Sequence, residues 1–94
     1  METTTPENQQ TALQAQVAAL PIEVVLHVLW HAGDLVLGEQ PGGFVSALLT
    51  AIARADAENL LKLSIVYEAY ANGQRAAKHL TGLELLRDRA KAAR

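Results

Sequence analysis

Between Pro21 and Leu37 the chain carries Ile22, Val24, Val25, Leu26, Val28, Leu29, Trp30, Leu35 and Val36, and its ionisable residues there are Glu23, His27, His31 and Asp34. At 100° per residue those four polar side chains fall within one ~80° arc of a helix, whereas a strand scatters them over both faces. The many β-branched residues favour a strand locally, but the polar arc decides for a helix over about 22–36. Pro21 restarts it, because proline is tolerated in a first turn and not in a helix interior. A helix that is apolar over roughly three quarters of its circumference lies inside a protein. It is then either the central post of a monomer or half of a subunit interface, and Val25, Leu29 and Trp30 are the candidate core or interface residues.

Helical spacing of apolar residues recurs through the rest of the chain, and Ala and Leu, both strong helix formers, supply seventeen and fifteen of the 94 residues. The expected fold is all-α, a compact bundle of about five helices around a buried 22–36 helix. Residues 1–5 are expected to be disordered, and 6–94 to form a single domain, the number this length allows. Thr4, Pro6 and Glu7 form a capping-box start for a first helix that ends near Ala19. The Gly38-Glu39-Gln40-Pro41-Gly42-Gly43 segment is a loop. Phe44 to Ala53 follows as an amphipathic helix, with Phe44, Val45, Leu48, Leu49 and Ile52 on the apolar face. Asp56 caps a fourth helix from Ala57 that carries a stripe of Leu60, Leu63, Tyr67 and Tyr70 and ends at Asn72-Gly73. A short helix over Gln74 to His79 precedes a last one, opened by a Thr81-Gly82-Leu83-Glu84 capping box and running to about Ala93.

The absence of cysteine removes disulfides, thiolate metal sites and cysteine nucleophiles together. The acidic N-terminus does not read as a signal peptide. The apolar 21–37 stretch, broken by four polar residues, falls short of the ~20 uninterrupted residues of a bilayer span. A soluble, cytoplasmic protein without membrane contact is expected. Net charge is −2, which argues against wholesale attraction to nucleic acid.

Glu23, His27, His31 and Asp34 are the sharpest polar constellation, since imidazole and carboxylate one turn apart can chelate a divalent ion. The bland alternative, the one hydrophilic stripe of a buried helix, is preferred, because no His-Glu-x-x-His arrangement or distant ligand cluster supports a metal. Charge is segregated: residues 1–72 carry two Lys/Arg against eight Asp/Glu, and residues 73–94 carry six against two. In the last helix Arg87, Lys91 and Arg94 share a ~60° arc, a candidate phosphate-contacting face. They are equally placed to pair with the chain's own acidic body. The 44–70 stretch has helix-turn-helix spacing, but Glu58, Asn59, Lys62 and Ser64 make a poor recognition helix. Neither a nucleophile elbow nor a cofactor fingerprint is present, so no enzyme activity, cofactor or metal is expected.

The run Gly38-Glu39-Gln40-Pro41-Gly42-Gly43-Phe44, with Ala47-Leu48-Leu49, Ala51-Ile52, Ala55-Asp56 and Asn59-Leu60 behind it, resembles small all-helical proteins of actinobacteria and their phages. Those share a Pro-Gly-Ser/Gly-Phe turn, an Ala-Leu-rich helix and an Ala-Asp-x-x-Asn cap. The likeness spans about residues 38–67 and departs at Tyr67-Glu68, where they often carry a Phe-Pro step. It implies a phage-encoded accessory or host-modulating origin, and brings no activity and no catalytic residue. The function expected is protein–protein contact, as a homodimer and with a host protein as a further partner, through Val25, Leu29, Trp30, Tyr67 and Tyr70. The rival is a nucleic-acid-associated regulator using Arg87, Lys91 and Arg94.

Overall fold

The computed structural model describes the backbone of residues 6–94 and side chains from Thr11 onward. The expectations for residues 1–5, the Thr4 cap included, lie outside the described residues. Six helices follow one another, α1 (Pro6–Ala18), α2 (Ile22–His31), α3 (Gly43–Arg54), α4 (Ala57–Val66), α5 (Glu68–Ala77) and α6 (Leu80–Ala92), with no strand among the described residues. The described residues are therefore all-helical, with six helices where a bundle of about five is expected. No single helix among the described residues is long and apolar enough to cross a membrane.

At the centre lies α2, packed on α5 and α6 and, less extensively, on α3. Val25, Val28 and Leu29 have no exposed surface, and Leu49 of α3 and Leu86 of α6 close over the same core. Val25 and Leu29 are thus spent inside a single chain and are not free to form a subunit interface. Trp30 is half-buried.

The predicted extent of the central helix is corrected at its C-terminal end. Gly33 adopts φ 104°, the left-handed region that favours glycine, and its N–H donates to the Trp30 carbonyl while the Asp34 N–H reaches back to Leu29. These bonds close the helix at His31. Asp34 leaves the polar arc, and Leu35 and Val36, expected in the apolar wall, stand 62% and 78% exposed.

Three further boundaries move for tertiary reasons. Asn72-Gly73 does not end a helix: Gly73 lies inside α5 and buried, where an added Cβ would come within 2.9 Å of Val28 Cγ2. The predicted 57–72 helix instead breaks at Tyr67 (φ −122°, ψ 53°), which ends α4 by donating to the Leu63 carbonyl and opens α5 by accepting from Ala71. The Thr81 capping box does not form. α6 starts at Leu80, no side chain caps it, and Gly82 is pressed against the Ala76 carbonyl at the α5–α6 corner.

These contacts set an order of tolerance. Gly82→Ala is expected to cost about 3 kcal/mol or more, since backbone cannot yield to the new methyl. Gly73→Ala, which gains about 1 kcal/mol of helix propensity but overpacks Val28, is expected to lose about 1 kcal/mol net. Gly43→Ala, where the space is open, is expected to be neutral or slightly stabilising. Urea denaturation of the three variants checks the ranking.

Candidate interaction surface

The polar arc of α2 does not face water as one stripe. His27 is buried against α5, its Nδ1 3.0 Å from the Tyr70 hydroxyl and its ring stacked on the tyrosine at 6.2 Å between centroids. One turn on, the buried Gln74 side chain donates from Nε2 to the Leu49 carbonyl at 2.8 Å, with His31 Nδ1 3.4 Å from the same atom. The two cross-helix pairs have the same sequence offset, so α2 and α5 run in the same direction. Burial, with the Glu23 charge nearby, pushes the Tyr70 phenol above its ordinary value. The imidazoles are thus engaged by neutral partners, Asp34 lies beyond the helix end, and no group of three or more metal-binding side chains occurs among the described residues. The seam links two helices.

Two of the three basic residues of α6, Arg87 and Arg89, and Arg94 just beyond it, bond back onto the chain. Arg87 Nε donates to Asp34 Oδ2 at 3.0 Å, with the Asp34 side chain 12% exposed. The other carboxylate oxygen accepts from the Leu37 and Val36 N–H groups at 2.9 and 3.2 Å. The Leu37 N–H first, then Arg87 and the Val36 N–H, hold the Asp34 carboxyl below the usual carboxylate value against the opposing effect of burial. Arg94 donates to the Val36 carbonyl at 2.9 Å and Arg89 to the Leu20 carbonyl at 3.1 Å. Of the proposed phosphate-contacting trio, Arg87 and Arg94 bind the 34–37 turn and Lys91 alone is an exposed cation without such a role.

The surface that the sequence reading missed is on α4. Asp56 caps this helix, accepting from the Asn59 N–H at 2.9 Å, and Glu58 pairs with Lys62 at 3.5 Å. Half of its ten residues are large aliphatics, Leu60, Leu61, Leu63, Ile65 and Val66, yet none is buried. Leu60 and Leu63 are half-covered, while Leu61, Ile65 and Val66 stand 65%, 76% and 69% exposed. At its C-terminal end Tyr67 rests on Phe44 of α3, ring centroids 5.9 Å apart. Phe44, expected in the buried face of α3, is 66% exposed. The signal was present: α4 carries aliphatics on every side, the property that marked residues 22–36 as buried.

No protein family, no curated protein and no solved structure matches this chain.

The Asp34 clamp has a pH signature. A carboxyl held below its ordinary value near 3.8 stabilises the fold fully above that pH, and its contribution is lost as pH falls through the depressed value. Asp34→Ala is expected to lower the unfolding free energy by about 1–2 kcal/mol at neutral pH. Urea denaturation is expected to show the gap to the parent protein closing towards acid pH.

Proposed function

We propose that this chain is a small interaction protein that acts by contact rather than by chemistry, with the outer face of α4 as its docking surface for another protein. One observation carries the reading: a capped helix that is half large aliphatics buries none of them. A ten-residue helix is marginal on its own in water, and contiguous exposed aliphatics on a soluble domain mark an interaction site. The flanking Glu58, Asn59 and Lys62 supply the polar rim that such surfaces carry.

The competing reading, nucleic-acid contact through Arg87, Lys91 and Arg94, is weakened by the engagement of two of the three with the chain's own turn. A Phe44–Tyr67 platform for bases is disfavoured too, since each ring already packs on the other.

A photo-crosslinking amino acid placed at Leu61 or Ile65 in cells that make the protein is expected to yield a discrete protein adduct. The same group at the exposed Thr50 of α3 is expected to yield none. Absence of any adduct from both α4 positions, with the protein folded by circular dichroism, overturns the reading.

A further inference from the structure

The order of residues along the exposed face of α4 identifies its occupant, an inference that rests on that face being a protein-docking surface. Ala57, Leu61 and Ile65, four residues apart, form one exposed row, and the exposed row beside it carries the charges of Glu58 and Lys62 and ends in Val66. From these rows we propose that a second copy of the chain lays its own α4 antiparallel against this one across a two-fold axis.

A two-fold perpendicular to a pair of antiparallel helices brings each row against the same row of the other copy, in reverse order. The apolar row then meets itself with Leu61 at the centre against the partner's Leu61. At either end the small Ala57 lies opposite the large partner's Ile65, so the gap between the helices is filled evenly. The charged row places Glu58 beside the partner's Lys62, and Lys62 beside the partner's Glu58. With Leu61 at the centre the order along that flank is Glu58, the partner's Lys62, Lys62 and the partner's Glu58, so each acid lies next to a base of the other copy. A parallel pair loses both matches, because like residues then meet at each end of the apolar row and the charged rows no longer face each other. An acid and a base one turn apart, flanking a row that is small at one end and large at the other, therefore suit a copy of the same helix.

Size sets the strength. Ten residues of helix span about 15 Å, so the contact falls at the small end of specific interfaces, below ~1,200 Å² in total. The dimer is weak and concentration-dependent.

Sedimentation equilibrium of the whole chain, from micromolar to millimolar concentration, tests the pairing. The parent protein is expected to show a monomer–dimer equilibrium. L61D is expected to abolish the dimer with helicity and thermal midpoint retained. E58K and K62E are each expected to weaken association roughly three- to tenfold at low salt, through like charges gathered on one flank. The double variant E58K/K62E is expected to recover it. Native mass spectrometry of mixed E58K and K62E chains is expected to show the heterodimer in excess over either homodimer. A parent chain that is monomeric throughout, a dimer indifferent to L61D, or statistical mixing of the two charge variants each overturns the proposal. A monomer that still gives crosslinked adducts from Leu61 with a different protein removes the second copy as partner and leaves the docking face standing, whereas a monomer without adducts removes both.

Discussion

Everything in the core is arranged around the close approach of α2 to α5 at Gly73. Val28 is packed so tightly there that an added Cβ on the glycine would lie 2.9 Å from it. That approach brings the α2 polar arc onto α5, so that His27 reaches Tyr70 and Gln74 reaches both His31 and the Leu49 carbonyl. Buried polar groups cost free energy unless they are hydrogen-bonded, and no buried side-chain nitrogen or oxygen among the described residues lacks a partner. An apolar stripe buries as readily after slipping by a turn. Paired polar groups at matched positions do not, and the two pairs favour one register of α2 against α5.

The charge asymmetry of the chain finds its use inside the fold. Three of the six basic residues in 73–94, Arg87, Arg89 and Arg94, reach back to groups N-terminal to α3: the Asp34 carboxylate and the Leu20 and Val36 carbonyls. Arg87 engages a carboxylate that is already bonded to two backbone N–H groups, a charge-assisted arrangement stronger than an exposed surface pair. The last helix is thereby tied to the turn that ends the central one.

Local chemistry made much of this legible. Asp56 as a cap and the break at Pro21 depend on residues near in sequence and are found as read. The loop read at Gly38–Gly43 begins earlier, where α2 ends, and gives way to α3 at Gly43, while the apolar face of α3 holds for Leu48, Leu49 and Ile52 but not for Phe44. The glycines were misread for a common reason. Whether a glycine ends a helix or admits a neighbour depends on what lies across from it. Gly73 and Gly82 serve contacts with Val28 and Ala76, so they sit inside helices, while Gly33, passed over in the periodic count, supplies the left-handed turn that ends α2. The polar constellation was likewise visible as a pattern. Its meaning, a seam to α5, needed the positions of Tyr70 and Gln74.

Why α4 stays open follows from the break at Tyr67. Had helix continued from Ala57 to Asn72, Leu60, Leu63, Tyr67 and Tyr70 would have shared one face, and that face would have followed Tyr70 onto α2. Ile65, Val66 and Tyr67 are β-branched or aromatic and lose side-chain freedom in a helix, which makes this the weak point of the stretch. The φ and ψ of Tyr67 release α4 from the axis of α5 and let its ring meet Phe44 instead. Freed in this way, α4 retains only the partial cover of Leu60 and Leu63, and the row of Ala57, Leu61 and Ile65 on its other side has nothing among the described residues to lie against. In water that row is unfavourable by the transfer cost of its aliphatic surface, and a helix of only three turns has little intrinsic stability to set against it. Contact with another surface relieves both at once, and that is the physical basis on which the α4 face is proposed as a docking surface.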